Sequence, residues 1–472
     1  MLHLLNFVTF PFIGEVNLSG GILAVFILCL MAVVGFEFVN GFHDTANAVA
    51  TVIYTKALKP VYAIPWSGTF NFLGVFLGGV AVAMGILKLL PLDELMKLPV
   101  SVGACMVLAV LLASIVWNLG TWYLGIPCSS SHTLIGAMIG ASIAFTWYYG
   151  GAGVNWDKAK EIGLSLILSP LIGFGAAAGL MYLLIHVIKW KALFHIPENE
   201  NDTPPILIRL LLITTCTLVS FFHGSNDGQK GVGLLMLILI AFLPAKFAVN
   251  HEASSDKTLA SLNRTELVLS HVTATDAAGK TLILSADSAI DKTKAALASS
   301  NPADKTYKFR KQIKSAGKDV TAILAAQDIK LVNQDRATLT ETSKDLTNLT
   351  DFAPIWVIAT ISISLGIGTM VGWKRIVVTI GEKIGNQHLN YAQGASSELV
   401  AAATIGLSSS FGLPVSTTHV LSSGIAGSML ASGGAGNLNS KTLKNIALAW
   451  VLTLPVAIIL AFLLFLFFHL FI

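Results

Sequence analysis

Two short polar elements recur in this 472-residue chain, and both carry side chains suited to ion chemistry. The first sets Pro127 and Cys128 ahead of Ser129, Ser130, Ser131, His132 and Thr133. The second sets Pro414 and Val415 ahead of Ser416, Thr417, Thr418 and His419. Proline followed by hydroxyl residues makes a good helix start. The missing proline N–H would be unpaired there anyway, and a hydroxyl accepts from a free backbone N–H. At a membrane midplane such a start offers bare N–H groups and a positive dipole end, which is an anion site. Ser129, Ser130, Ser131 and Thr133, with Ser416, Thr417 and Thr418, give many donors and no fixed charge. Facing each other, they would wrap a tetrahedral oxyanion. Helix packing through small residues is the plainer role for one such element. Two copies at matching places favour the anion site.

Two acidic elements accompany them. Asp44 lies among Asn40, Gly41, His43 and Asn47, and Asp227 lies among His223, Gly224, Asn226 and Lys230. Each interrupts a long apolar run. Carboxylates inside a membrane are rare and usually functional. A helix break exposes carbonyls which, with the oxygens of Asp44, Asn47, Asn226 and Asp227, suit a small cation. Asp44 and Asp227 are therefore the candidate metal ligands. The competing role for Asp44 is a helix cap or a pair with Lys230. Glu37 and Glu398 are further acids within apolar runs, either silent through protonation or proton carriers. His43, His132, His223 and His419 are candidates for titration near neutrality. For His132 and His419 a hydrogen bond holding the hairpin is the preferred role.

The elements that must position these residues are membrane helices. Hydrophobic residues make up 54% of the chain and charged residues 12%, about half the charge of an ordinary soluble domain. Apolar runs at 21–40, 61–89, 102–123, 162–188, 206–222, 231–249, 355–373 and 446–470 reach or approach the length of a span. They are continuous and not alternating, so they read as helices and not as barrel strands. The first residues, 1–11, lack a basic start and a small-residue cleavage site, so insertion through the first helix is expected. Cys29, Cys105, Cys128 and Cys216 show no metal-ligand spacing and read as packed free thiols. The small net charge of +4 carries no nucleic-acid signal.

Basic residues set the orientation. With the N-terminus outside, Lys56, Lys59, Lys189, Lys191, Arg209, Lys374, Arg375, Lys383, Lys441 and Lys444 all fall in cytoplasmic segments. The short outer segments then hold only Lys88, Lys97, Lys158 and Lys160, with Lys246 at the border of a longer one. This arrangement needs about ten crossings and leaves both termini outside. Residues 1–190 form one membrane half and 191–205 a cytoplasmic linker. Residues 206–249 and 352–472 form the second half. Residues 250–351 are polar and nearly free of aromatics, and read as a soluble outer insertion. Within it, 281–298 and 303–331 suit helices, and a partly ordered loop is the other reading. In each half the acidic element precedes the Pro-hydroxyl element. An odd number of crossings per half inverts the second against the first. The expected fold is an all-α polytopic membrane protein of two inverted repeats, with broken helices, re-entrant hairpins and a polar helical insertion.

The chain resembles the inorganic phosphate transporter family, closest to the bacterial low-affinity permeases. The resemblance is carried by residues 40–51, 118–123, 127–136, 222–233, 366–370 and 413–423, and it covers essentially all the membrane part. It implies phosphate as substrate and a multi-pass protein of the bacterial inner membrane. It also implies symport with protons or sodium, and no cofactor. Asp44, Asn47, Asn226 and Asp227 match the family's signature acids and amides, and Ser129 to Ser131 with Ser416 to Thr418 match its phosphate-binding hairpins. A homodimer is compatible with this class. Two residues depart from the signature: His43 and Lys230 stand where asparagine is usual. A lysine ammonium beside a sodium pocket competes with the ion, so proton coupling is expected. Similar bacterial members are thought to carry neutral metal–phosphate complexes with a proton, which removes charge before entry into a low-dielectric site.

Other classes fit less well. Sulfate suits the same hydroxyl cage, but only a protonated phosphate can donate a hydrogen bond to a buried Asp44 or Asp227. An enzyme built on Ser131, His132 and Asp44 is disfavoured because adjacent helical side chains point apart. No Gly-x-Ser-x-Gly elbow or Walker lysine loop is present. A continuous channel is less suited to paired helix breaks than a binding-and-release cycle. Alternating access about the midplane, without a covalent step, is the expected mechanism.

Overall fold

The computed structural model describes residues 7–199, 202–298 and 307–472. Its first element departs from the all-α expectation. Strands β1 (Phe7–Phe10) and β2 (Gly14–Asn17) form an antiparallel hairpin in which Val8 faces Val16. The β-branched and aromatic residues of β1 favour a strand, and Phe12 and Gly14 adopt positive φ to reverse the chain. A four-residue strand is too short to register in a search for spans. Residues 1–6, part of the stretch read as lacking a basic start and a cleavage site, lie outside the described residues.

The first compact unit comprises residues 1–238 and 354–472. Helix α1 (Gly20–Asp44) runs on past Thr45 into α2 (Ala46–Tyr54). Helices α3 (Pro60–Leu77) and α4 (Ala81–Leu87) come from one apolar run, bent by 72° where Gly79 takes a φ of 79°. A single turn, α5 (Leu92–Leu95), precedes α6 (Val100–Tyr123), α7 (Ser130–Tyr149) and α8 (Trp156–Leu183). Helix α9 (Ile206–His223) passes through a widened turn, Gly224–Gly228, into α10 (Gln229–Phe242).

The second unit, residues 239–353, takes the end of α10 and the short α11 (Pro244–Phe247). It is completed by α12 (Ser255–His271), α13 (Ala277–Ala298), α14 (Tyr307–Ala325) and α15 (Asn333–Thr350). The chain then returns to the first unit through α16 (Ile355–Thr369), α17 (Lys374–Glu382), α18 (Tyr391–Ser410), α19 (Thr417–Gly433) and α20 (Ser440–His469).

Among the described residues, five continuous helical stretches are long and apolar enough to cross a membrane: Gly20–Tyr54, Val100–Tyr123, Trp156–Ile188, Ile206–Phe242 and Ser440–His469. Joining α3 to α4 across their bend adds a sixth. A seventh would join α16 to α15, whose composition is polar.

Within this unit the helices pack in matched pairs. Helix α1 lies on α6 and α16, and α9 lies on α18 and α3. Helix α7 packs against α20, and α19 packs against α8, so each hairpin helix rests on the last long helix of the other half. Glycine permits the closest of these approaches. A Cβ at Gly140 would meet the backbone carbonyl of Ile458, and one at Gly427 would meet that of Phe174. Small residues at such crossings are how helices associate where the surrounding medium is itself apolar. Pro170 in α8 and Pro455 in α20 fall in the same stretches. All four cysteines are free and buried.

In the second unit the apolar residues of α14 recur at Phe309, Ile313, Ala316, Val320 and Ile323, one face of a helix, and all five are buried. They pack with Leu262, Leu269, Ile290, Leu339 and Leu346 from α12, α13 and α15. Asp276 caps α13 by accepting from the Gly279 N–H at 2.7 Å, and that bond holds its carboxyl below the usual range. Asn250 N–H donates to the Leu349 carbonyl at 2.9 Å, which closes the base of the bundle. Helix α13 covers the first segment expected to be helical and α14 most of the second; 303–306 lie outside the described residues, and α14 ends at Ala325, short of 331.

Two outcomes follow from this packing. Gly140→Val lowers stability by roughly 1–3 kcal/mol through overpacking. Thermal unfolding in detergent reads this, and Gly163→Ala, where nothing lies within 4 Å of a new Cβ, serves as the unaffected control. Residues 245–353 expressed alone give a helical circular-dichroism spectrum and a cooperative melt, which Ile313→Ala weakens by about 2–5 kcal/mol.

Candidate functional site

The two acidic interruptions are both helix breaks, and they meet. At the first, Thr45 separates α1 from α2 and donates to the carbonyls of Gly41 at 2.7 Å and Thr369 at 2.8 Å. At the second, the turn Gly224–Gly228 is a π-turn, the widened helical form frequent at functional positions. Gly224 lacks the Cβ that would strike the Asn71 carbonyl. These breaks aim His43, Asp44 and Asn47, and His223, Asn226, Asp227 and Lys230, into one buried volume.

Both Pro-hydroxyl elements start helices at equivalent places. Ser129 caps α7 by accepting from the His132 N–H at 3.1 Å, and Ser416 caps α19 by accepting from the His419 N–H at 3.2 Å. The turns before them contain Gly125 and Gly412, at φ of 67° and 68°.

Ser130 is the junction of the site. Its hydroxyl lies 2.8 Å from Asp44 Oδ2 and 3.1 Å from Asp227 Oδ2, so it donates to carboxylates from both halves. Thr418 donates to Asp44 Oδ1 at 2.8 Å. Asn47 donates to Thr418 at 2.8 Å and to Thr417 at 3.3 Å. Lys230 Nζ pairs with Asp227 Oδ2 at 2.8 Å and also donates to Ser131. Ser131 passes a hydrogen bond to the Val415 carbonyl at 2.7 Å.

The cluster thus holds two carboxylates, one ammonium and several hydroxyls, all buried. Burying a bare charge costs several kcal/mol, which explains why every carboxylate here has a donor. Donor atoms of Asp44, His223 and Asp227 lie within 4.8 Å of one another, a spacing that suits a small cation. Among the described residues His223 Nε2 and Asp227 Oδ1 have no hydrogen-bond partner, and His223 Nε2 lies 3.8 Å from Asp44 Oδ2 and from Asp227 Oδ2. Lys230 sits on the other Asp227 oxygen, where a cation would also bind.

Not every expected residue joins this cluster. The Thr133 hydroxyl returns to the Ser129 carbonyl at 2.9 Å, and those of Ser129 and Ser416 serve as helix caps. Glu398 accepts from Thr51 and Thr215, away from Asp44 and Asp227. Glu37 touches Asn40 at 3.4 Å and fills the space left by the missing side chain of Gly231, the neighbour of Lys230. Asn226 joins Ser409 and Leu413 to the Val415 N–H. In the other half His43 stands in the matching position, reaching Thr121 at 3.2 Å and Cys128 at 3.4 Å while touching Asp44 at 3.2 Å. His132 contacts Ser129 at 2.8 Å. His419 stacks on Trp450, and its ring lies 4.6 Å from that of His132.

A Ser131–His132–Asp44 couple is absent, since Ser131 faces Lys230 and His132 faces Ser129. Asn71 went unnoticed in the sequence: it holds His223 at 3.0 Å and donates to Thr369 at 2.9 Å. An amide inside the 61–89 apolar run was the available signal.

The sequence model of the phosphate transporter family matches residues 40–461, which include both halves of this site. The chain belongs to the phosphate transporter family. It is 39% identical to the low-affinity inorganic phosphate transporter PitA of Escherichia coli strain K12, with 98% of each chain covered. It is 40% identical to the low-affinity inorganic phosphate transporter of Buchnera aphidicola subsp. Acyrthosiphon pisum, again over 98% of each chain. The fold resembles a solved structure, a sodium-dependent phosphate transporter, at a TM-score of 0.55 and 20% identity, covering 95% of this chain and 100% of that one. The chain is a multi-pass membrane transporter and not an enzyme.

Ser130→Ala removes the donor shared by both carboxylates and lowers phosphate uptake by roughly 10- to 100-fold, as loss of a hydrogen bond to a charged group predicts. Thr133→Val changes it less than about threefold, because that hydroxyl serves its own helix. Initial-rate uptake of labelled phosphate by cells expressing each variant reads the contrast.

Proposed function

We propose that the chain imports inorganic phosphate across a bacterial inner membrane by symport with protons, through alternating access about the Asp44–Asp227 cluster. The bridging of Asp44 and Asp227 by Ser130 carries this reading. It joins a helix-start hydroxyl, suited to an oxyanion, to two carboxylates from opposite halves. A protonated phosphate in that position donates to Asp44 or Asp227 and accepts from Ser130, Ser131, Thr417 and Thr418. Sulfate lacks the proton for the first of these bonds.

Charge counting supports a travelling cation. The charges of Asp44, Asp227 and Lys230 sum to one negative charge. A phosphate anion adds to that deficit in a volume from which water is excluded, so each proton or metal ion that enters with it lowers the cost. The Asp44, His223 and Asp227 donors suit a divalent metal carried as a neutral phosphate complex. They also suit sodium, and Lys230 opposes that reading by holding the shared Asp227 oxygen. Glu398 and Glu37 are candidate proton carriers beside the route.

The matched helix packing supports two inverted repeats. The placement of lysine and arginine supports about ten crossings with both termini outside. The two hairpins, each resting on the other half's last helix, then rock as two bundles around the site.

Purified protein in proteoliposomes takes up labelled phosphate under an imposed proton gradient. Asp227→Asn lowers that uptake by about 100-fold or more, because it leaves Lys230 buried without its partner. Lys230→Asn frees the cation position and makes uptake respond to sodium. Uptake by the unaltered protein that requires sodium would overturn proton coupling, and uptake of sulfate in place of phosphate would overturn the substrate.

A further inference from the structure

A basic pocket lies apart from the transport site, at the end of α6. It is an open surface pocket of about 550 Å³, lined by the exposed Lys374, Arg375 and Lys383 with Trp122, Tyr123 and Trp373. Among the described residues no carboxylate lines it. The nearest acid along α17, Glu382, is engaged by the Tyr54 hydroxyl at 2.7 Å. Among the described residues Lys374 and Lys383 have no ion-pair partner. Arg375 is fixed differently: its guanidinium lies 5.3 Å from the Trp122 ring and 4.9 Å from the Tyr123 ring, and it donates to the Tyr123 carbonyl at 2.8 Å.

Three cations converging without an acid make a site for a multiply accepting anion. Aromatic walls of tryptophan and tyrosine mark the headgroup depth of a bilayer. The basic residues are among those assigned to the cytoplasmic face by charge placement, the leaflet side on which anionic headgroups attract such clusters.

We propose that this cavity binds a phosphate-bearing anion, separate from the transported one, held by Lys374, Arg375 and Lys383. The phosphate of an anionic lipid and that of a soluble phosphate compound share this chemistry. The cavity is also wired to the transport site. Thr379 donates to the Gly125 carbonyl at 2.8 Å, in the turn that leads within a few residues to Ser129 and Ser130. Trp122 donates to the Gly372 carbonyl at 2.8 Å and packs at 5.0 Å on Phe42, two residues before Asp44. An occupant therefore stiffens both the hairpin turn and the first helix break.

The test titrates the detergent-solubilised full chain with dioctanoyl phosphatidylglycerol, dioctanoyl phosphatidylcholine and inorganic pyrophosphate, with bound ligand counted by native mass spectrometry. Lys374→Gln with Lys383→Gln weakens binding of at least one phosphate probe by about 30-fold, at roughly 1 kcal/mol for each of the two cations removed. Lys374→Arg with Lys383→Arg retains it, which separates lost charge from lost fold. A difference confined to phosphatidylglycerol identifies the lipid as the source, and one confined to pyrophosphate identifies a soluble anion. Equal binding of phosphatidylglycerol and of pyrophosphate to the unaltered chain and the glutamine variant overturns the proposal, as does equal weakening in the arginine variant.

Discussion

A carboxylate placed where water cannot follow must be given hydrogen-bond donors or a cation by the protein itself. Two such carboxylates, Asp44 and Asp227, sit within reach of one serine hydroxyl, and much of the membrane unit is arranged around that need. Helix interiors have no spare donors, because their N–H groups are already spent on the preceding turn. The donors must come from helix starts and from side chains at helix breaks. Hence α7 and α19 begin inside the protein, and α1 and α9 are each interrupted near their ends. The breaks and the starts are two halves of one solution.

That solution constrains the packing. For Ser130 to reach Asp227 as well as Asp44, a hairpin from one half must lie against the acidic break of the other. The exchange of α7 onto α20 and α19 onto α8 is consistent with this, and glycines at the crossings let the backbones come close enough. Thr418 donating to Asp44, and Asn226 holding the Val415 N–H, tie the hairpin elements and the breaks together in the same way. A site built from both halves is made or opened by any motion of one against the other. That is the structural requirement for access from alternate sides.

The polar interruptions were the most legible part of this sequence, because a carboxylate or a run of hydroxyls inside an apolar stretch has few innocent explanations. Asp44, Asp227, Ser130, Ser131 and Thr418 were recognisable on that ground, and the structure joins them by hydrogen bonds. The roles of individual hydroxyls were not legible. Ser129, Ser130 and Ser131 are consecutive, yet one caps the helix, one bridges the acids and one takes the lysine. A helix turns about 100° per residue, so neighbours in sequence face different partners, and only the tertiary arrangement decides which faces the acids. Asn71 escaped for a related reason: a lone amide in an apolar run looks like packing until its partner, His223, is known. The β-hairpin escaped because four residues carry too little periodicity. The insertion was legible as helices through its spacing, and its bundle core depends on the same spacing.

The two residues that depart from the family signature acquire meaning together. His43 takes the place that Asn226 holds in the other half, and it meets the same kind of partners, a hydroxyl residue at the end of the preceding long helix and the residue before the hairpin cap. It keeps the architecture while adding a proton-binding ring against Asp44. Lys230 takes the place that Asn47 holds, but it brings a charge where Asn47 brings only hydrogen bonds to Thr417 and Thr418. One substitution adds an imidazole, and the other sets an ammonium against Asp227 of the Asp44, His223 and Asp227 group. Both changes move the site away from a bare cation cage. In a buried volume that already contains an ammonium, an incoming cation gains less from Asp227 than it would from a free carboxylate, whereas a proton arriving on phosphate or on a neighbouring group needs no cage at all.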